Sequence, residues 1–251
     1  MKHFTSYEKA HAYIQKHSEF EELQNIVRKN PGPVVTISRE TGVGAPAICN
    51  KLCEYLNSYS AKYYDHWTYF DKDLINRVLE DHNLPIHFKK FLENEKPHTL
   101  DSWFNEMLGV SPSKLALLNK TKQTILHLAH FGCSVIVGRG SNIILKDYPK
   151  ALHVRLVAPL QFRIETAMKL YEIDHKQAAE FIVKEDEARK MYLLKYFHKD
   201  IEDAHLYHAV INTNMLEFDE IAEMIGHCVK RKFERFFVQS HEQIENNYSG
   251  R

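Results

Sequence analysis

Residues that can bind phosphate directly follow a short apolar run near the start of this sequence. The segment "TISRETGVGAPAIC", Thr36 to Cys49, places Arg39 and two glycines immediately before a helical pattern. Consecutive backbone N–H groups curled at a helix N-terminus bind anions, and glycines permit the curl. The segment therefore has the setting of a phosphate-binding loop.

The same segment departs from the phosphate-loop motif G-x-x-x-x-G-K-[ST]. With Gly44 as the second glycine, Arg39 stands at the first glycine, Ala45 at the lysine and Pro46 at the hydroxyl residue. In the motif the lysine neutralises the β- and γ-phosphates, and the hydroxyl binds Mg²⁺. Taken alone, the segment also fits an ordinary strand-to-helix turn.

Five short apolar runs have the length and composition of buried strands. They are "PVVTIS" (33–38), "WTYF" (67–70), "CSVIVG" (133–138), "ALHVRLVA" (151–158) and "HAVINT" (208–213). Helical patterns lie between them, which predicts an α/β fold with a parallel five-stranded sheet and helices on both faces. Because ligands of such sheets bind at the carboxyl ends of the strands, the residues that follow each run are the candidates for function. These are Arg39 to Gly44, Asp71, Gly138 to Gly140 and the arginine after "HVRLVAPL".

The chain divides into three parts. Residues 1–30 suit an extension of amphipathic helices, residues 31–238 a single domain, and residues 239–251 a polar tail. The apolar face within 4–29 leaves two interpretations open, since it can contact a partner, including a second copy in a homodimer, or pack on the core.

Composition excludes several classes of function. The 251 residues include 33 lysines and arginines against 33 aspartates and glutamates, so no bulk charge favours nucleic acid or an anionic membrane. No run approaches the roughly 20 apolar residues that span a bilayer, and a cytoplasmic location is expected. The four cysteines and sixteen histidines show no zinc-binding spacing, and we expect the cysteines to be buried thiols.

Several segments in register resemble the cytidylate-kinase-like family, a branch of the P-loop nucleoside monophosphate kinases. They are "TISRETGVGAPAI", "YFDKDLI", "VIVGRGSNIIL", "HVRLVAPLQFRIETAM" and "EDEARKMYLLKYFHKDIEDAHLYHAVINT", within residues 33–226. The resemblance implies a P-loop kinase fold with a helical lid at about 160–200. It also implies ATP and Mg²⁺ as cofactors, and a nucleoside monophosphate or related small phosphate acceptor as substrate.

The resemblance implies roles for residues of the loop and of the segment after the second strand. Family members usually read S-R-E-x-G-S-G-G at the loop, so this chain departs further by carrying Ala45 and Pro46. Asp71 matches an aspartate near the transferred phosphate, where it can orient the acceptor or hold Mg²⁺ through water; it also suits a helix N-cap. No other metal ligand is expected from the protein. The residues implied to bind phosphate at the loop are Arg39, Thr41, Gly42, Val43, Gly44 and Ala45.

The resemblance also implies roles for the turn after the third strand. Arg139 matches the arginine of a glycine-arginine-aspartate turn that contacts the bound nucleotide, and a surface ion pair is the less favoured alternative. The aspartate of that turn is Gly140 here, which puts cytosine specificity in doubt.

Further implied site residues lie in the lid. Arg163 matches a lid arginine that faces the ATP phosphates, and Asp186 and Arg189 match residues that bind the sugar and phosphate of the monophosphate. A further family arginine is Ile182 here, with Lys184 as the nearest cation. Without the resemblance, "VKEDEARK" reads as a solvated helix face with i,i+4 ion pairs.

Two functions follow from these residues. The first is an ATP-dependent kinase with Arg39, Asp71 and Arg163 as catalytic residues, in which Arg39 replaces the missing loop lysine. The second is a catalytically inactive nucleotide-binding or regulatory protein, in which Arg39 pairs with Glu40 or a lid carboxylate and the loop is structural.

Overall fold

The computed structural model describes residues 12–15, 32–59, 66–71 and 112–237. The helices expected at 4–29 outside 12–15, the helix expected after Asp71, the helical region 84–111 and the tail 239–251 lie outside these residues. Among the helices described, none is long and apolar enough to cross a membrane.

Parallel strands form one five-stranded sheet in the order β2-β3-β1-β4-β5. The strands are β1 (Val34–Arg39), β2 (Thr68–Phe70), β3 (Ser134–Val137), β4 (Ala151–Val157) and β5 (Ala209–Asn212). Every pairing is parallel, which confirms the predicted fold class. Because β1 has β3 on one side and β4 on the other, the strand order reverses beside β1, and ligands bind at such a reversal.

Helices cover both faces of this sheet. They are α1 (Ala45–Ser58), α2 (Pro112–Phe131), α3 (Ser141–Ile144), α4 (Leu160–Tyr171), α5 (His175–Phe197) and α6 (Phe218–Lys232). Side chains alternate along each strand, so Val35 and Ile37 pack with α1 and α6 while Val34 packs with Ile125 and Leu128 of α2. Two apolar layers therefore enclose the sheet.

The helical turn at 12–15 belongs to the α2 side of the core. Tyr13 and Ile14 are buried there, and the Tyr13 hydroxyl donates a hydrogen bond to the Gly132 carbonyl. Among the cysteines, Cys228 on α6 is exposed, so the expectation that all four are buried was wrong at this position. The amphipathic pattern of α6 turns Cys228 away from the layer formed with α1.

Helices α4 and α5 pack against each other as a separate unit, which we call the α4–α5 hairpin. Ile164, Ala167, Ala178 and Ile182 form its apolar contact. A capping box fixes the start of α5, because the Asp174 carboxylate accepts the Gln177 N–H at 2.8 Å. Ile182, at the position where the resemblance implies an arginine, is thus a core residue of this hairpin.

Candidate functional site

The loop between β1 and α1 is curled as an anion-binding loop requires. Gly42 and Gly44 have φ values of 84° and 77°. Gly44 is the N-cap of α1 and provides no side-chain cap bond, while Pro46 lies exposed in the first turn. Val43 and Ala45 are buried in the core, so their contribution to a ligand comes from the backbone. The first N–H groups of α1 therefore lack a capping side chain, and a phosphate oxygen is a suitable acceptor for them.

A carboxylate of the α4–α5 hairpin contacts the start of this loop. Asp186 Oδ1 accepts hydrogen bonds from the Thr41 N–H at 2.8 Å and from Thr41 Oγ1 at 2.7 Å. Asp186 Oδ2 accepts from Arg163 Nη1 at 2.5 Å, and Arg189 Nη2 donates to Thr41 Oγ1. The loop amide that a phosphate oxygen would use is thus bound to a carboxylate of the same chain.

Arg163 joins the α4–α5 hairpin to the end of β4 and to the start of the loop after β1. Its Nε donates to the Ala158 carbonyl at 3.0 Å and lies 3.4 Å from Glu40 Oε2, and the side chain is only 12% exposed. Glu40 Oε2 also accepts the Ala158 N–H at 2.9 Å. Gly42 packs so closely on the Arg163 carbonyl that a Cβ at Gly42 would overlap it. Glu40, one of the two partners weighed for Arg39, contacts Arg163.

Arg39 is the last residue of β1 and lies towards β3. Its Nη1 lies so close to Gly138 that a Cβ at that residue would overlap it. Burial, and then the charge of Arg189, lowers the pKa of Arg39 to about 10, so the guanidinium stays protonated at neutral pH. No carboxylate within the described ranges forms an ion pair with it. Arg39 therefore presents its charge to the β3 side of the loop.

The turn after β3 is shaped for glycine at position 140. Arg139 and Gly140 have φ values of 57° and 68°. A Cβ at Gly140 would lie 2.6 Å from the ring of Phe197, near the end of α5. An aspartate at this position, as the family turn has, would require that ring to move.

Two cavities open beside these side chains. The β3-side cavity, of about 200 Å³, is lined by Arg39, Arg139, Arg189, Glu185 and Tyr192 together with residues of the β3 turn. The β4-side cavity, of about 320 Å³, is lined by Arg39, Arg155, Arg163, Asp186 and Arg189 among others. Arg39 and Arg189 border both cavities.

The fold thus brings most of the sequence-predicted residues to one edge of the sheet. Asp71 lies partly buried just after β2, and its charge offsets part of the lowering of the Arg39 pKa that burial causes. Within the described part of the chain, no group of three potential metal ligands occurs. Ala45 and Pro46 offer no side-chain oxygen to a metal ion.

Glu185, Tyr192 and Arg155 line these cavities and were not predicted from the sequence. Glu185 lies 3.4 Å from Arg189 Nη1, and Tyr192 lines the β3-side cavity, where burial raises its pKa to about 12. Arg155 projects from the interior of β4. A lone charged residue within the apolar run "ALHVRLVA" was the signal for Arg155, whereas helical spacing alone does not single out Glu185 or Tyr192.

Comparison with known proteins identifies related chains. A family model described as "Cytidylate kinase-like family" matches residues 34–215, well over half of the chain. Among solved structures, an uncharacterized protein from Eubacterium ventriosum ATCC 27560 has a TM-score of 0.59 at 21% identity, over 79% of this chain and 98% of that chain. This likeness shows a shared fold alone. A shikimate kinase from Bacteroides thetaiotaomicron has a TM-score of 0.42 at 12% identity, over 80% of this chain and 98% of that chain.

One curated relative matches a shorter region. A uronate isomerase from Corynebacterium glutamicum is 26% identical over 99 residues, which cover 39% of this chain and 19% of that protein. The chain thus spans about a fifth of the length of the curated relative it matches.

Proposed function

This chain belongs to the cytidylate kinase-like family, and from that premise we propose that it is an ATP-dependent phosphotransferase. The acceptor we propose is a nucleoside monophosphate or a related small phosphorylated molecule. Residues 31–238 would form the catalytic domain.

The observation that carries this proposal is the convergence of arginines beside a curled loop. Arg39, Arg139 and Arg189 line one cavity, and Arg163 binds the start of the loop. Phosphoryl transfer requires little covalent chemistry from a protein, because positioned cations and exclusion of water provide most of the catalysis. This arrangement supplies such cations without a loop lysine.

The donor would lie along the loop. Backbone N–H groups of residues 41–45 and the guanidinium of Arg163 would hold the phosphates of ATP, as the family resemblance implies. Mg²⁺, when bound, would neutralise part of the charge of the ATP phosphates. Asp71 is the residue of this chain that we assign to it, through water.

The acceptor would lie in the β3-side cavity. Arg139 and Arg189 would bind its phosphate. Asp186, which lines the β4-side cavity, would bind its sugar only after leaving Thr41 and turning towards the acceptor. An acceptor phosphate oxygen attacks the γ-phosphorus, the bond from that phosphorus to the β–γ bridging oxygen breaks, and ADP leaves with the bridging oxygen. Arg39 borders both cavities, and we assign it to the charge that develops on the transferred group.

The contact between Asp186 and Thr41 gives the α4–α5 hairpin a role in this reaction. A phosphate oxygen and the Asp186 carboxylate compete for the same Thr41 N–H. Binding of the donor would therefore release Asp186 towards the acceptor, and a shift of the hairpin would exclude water.

The same contact also favours a second candidate function. A protein that binds a nucleotide without transferring phosphate would tolerate Ala45 and Pro46 at the positions of the lysine and the hydroxyl. The bond from Thr41 to Asp186 would then act as a permanent structural link between the loop and the hairpin.

A paired measurement separates the two candidates. Calorimetry with ATP and Mg²⁺ reports binding, and a coupled assay reports ADP release with each of the ribonucleoside and deoxyribonucleoside monophosphates. The kinase predicts binding together with acceptor-dependent ADP release. Binding of ATP with no ADP release above background for any acceptor would contradict the kinase and favour the nucleotide-binding protein.

A further inference from the structure

The β4-side cavity contains a buried cation that the family resemblance does not assign. Arg155 on β4 is 6% exposed and lines this cavity. Its Nη1 donates to Ser38 Oγ at 3.1 Å, and its guanidinium carbon lies 5.8 Å from the centroid of the Tyr207 ring. A buried charge is costly unless an opposite charge or a set of hydrogen bonds compensates it. One hydroxyl and one ring compensate this guanidinium only in part.

The carboxylates that border the cavity are engaged elsewhere or exposed. Glu40 and Asp186 both contact Arg163, and Glu202 lies 3.7 Å from Lys190. Glu187 is exposed. Among the described residues, no carboxylate forms an ion pair with Arg155.

Two more guanidiniums lie near Arg155. After burial, the charge of Arg189 contributes to the lowered pKa of Arg39, and the charge of Arg155 contributes to that of Arg189. Arg189 thus repels both Arg39 and Arg155, while Asp186 and Glu185 attract it. An anion between them would relieve this repulsion and accept N–H groups from several directions, as arginine forks allow.

The cavity is separate from the loop amides. None of the residues 41–45 is among those that line it, whereas the end of β1 with Glu40, β4, the α4–α5 hairpin and residues 201–202 form its walls. The cavity shares Arg163 with the proposed donor site, but its buried Arg155 is not among the residues assigned to the donor, so an anion anchored on Arg155 would lie beside the loop amides.

We infer that the β4-side cavity binds a phosphate-class anion, with Arg155 as its buried anchor. Free inorganic phosphate and a second phosphate group on the acceptor present the same tetrahedral anion to these arginines. The site does not require the transfer reaction, so it stands even if the proposed kinase activity fails.

Phosphate binding to the full chain tests the inference. Thermal unfolding is followed in sodium phosphate and in sodium chloride at equal ionic strength, for the wild type, Arg155→Met, Arg155→Lys and the exposed control Arg231→Met. Phosphate should raise the melting temperature of the wild type and the control, because a ligand of the folded state stabilises it. Calorimetric titration should show phosphate affinity about tenfold to a hundredfold weaker in Arg155→Met.

Several outcomes would count against this phosphate site. No phosphate effect on the wild type, or an equal effect on Arg155→Met, would overturn the inference and leave Arg155 with a structural role towards Ser38 and Tyr207. If Arg155→Met does not fold, Arg155→Lys decides: it should bind phosphate several-fold more weakly, and equal affinity would overturn the inference.

A second titration identifies the source of the anion. If the acceptor carries it, a nucleoside 3′,5′-bisphosphate binds the wild type more tightly than the 5′-monophosphate, and Arg155→Met removes that advantage. If free phosphate is the ligand, both nucleotides bind alike, and only inorganic phosphate shows the dependence on Arg155. Both results support the site, and absence of any dependence on Arg155 contradicts it.

Discussion

Arg163 holds together three segments that meet at the candidate site. Its guanidinium contacts the Ala158 carbonyl, the Thr41 carbonyl, Glu40 and Asp186. Because the side chain is largely buried, these contacts are screened less by solvent than a surface pair would be. At the scale of single residues, both stability and the proposed transfer should depend on it.

Replacing Arg163 by methionine should lower both the free energy of unfolding and any phosphotransferase rate. The free energy of unfolding should fall by about 1–3 kcal/mol, since Glu40 and Asp186 lose a charged donor. Any phosphotransferase rate should fall by about 10²–10³-fold, as for loss of one preorganised charge. Urea unfolding and the coupled assay measure the two effects.

Arg231→Met is the matched control. Arg231 is 84% exposed and pairs with Glu234 at 3.5 Å, so its loss should change stability by less than about 0.5 kcal/mol. Equal effects of the two substitutions would contradict the role given to Arg163.

The stability of the fold should depend on pH because of the buried His153. Its Nδ1 lies 2.8 Å from Thr36 Oγ1, and burial, followed by the neighbouring His208, lowers its pKa from 6.5 to about 4. In the unfolded chain, His153 therefore binds a proton as the pH falls below about 6.5. In the folded chain it does so only near pH 4. His153 therefore makes its full contribution to the free energy of unfolding above pH 6.5, and this contribution is lost as the pH falls towards 4.

Between about pH 7.5 and about pH 5, this loss should reach about 2 kcal/mol. Urea unfolding of His153→Gln should show a correspondingly smaller decrease than the wild type over that interval. The exposed His205 provides the control, and His205→Gln should follow the wild type. A decrease in His153→Gln equal to that of the wild type would contradict the assignment.

At the scale of elements, the α4–α5 hairpin determines what the loop and the β3 turn can accept. Its Asp186 binds the loop, and Phe197 near its end fills the space in front of Gly140. The missing family aspartate is therefore part of a packing change as well as a change of charge. Restoring the carboxylate alone should not restore the family turn.

Gly140→Asp should destabilise the chain by about 1–3 kcal/mol, because of the left-handed backbone and the Phe197 ring. In the double variant with Phe197→Ala, the part of this cost that comes from the ring should disappear. A double-mutant cycle of unfolding free energies, with Phe197→Ala alone as the control, measures that coupling. Additive effects would contradict the contact between the ring and the turn.

At the scale of the whole molecule, the helical turn at 12–15 completes one face of the core. Ile14 is fully buried with Phe70, Ile125 and Leu128. Ile14→Ala should therefore lower the free energy of unfolding by about 2–4 kcal/mol, whereas Leu194→Ala, at a side chain 49% exposed, should change it little. A small effect of Ile14→Ala, together with a change in sedimentation, would instead support a surface for a partner or a second copy.

The sequence predicted the architecture better than the site. The five strands were predictable because buried parallel strands are short apolar runs, and the helix after the loop because its apolar residues recur with helical spacing. The bond from Thr41 to Asp186 joins residues 145 positions apart, and no local pattern reveals it. The direction of Arg39 towards Gly138 likewise depends on how β1 and β3 pack.

The central claim is that arginines replace the loop lysine in phosphoryl transfer. Its most direct test is acceptor-dependent ADP release from ATP and Mg²⁺ by the wild type and by Arg39→Met, with equal folding checked by unfolding in urea. The account predicts turnover by the wild type and a loss of about 10²-fold or more in Arg39→Met. Turnover of Arg39→Met within about twofold of the wild type, or no turnover by the wild type with any acceptor, would contradict it.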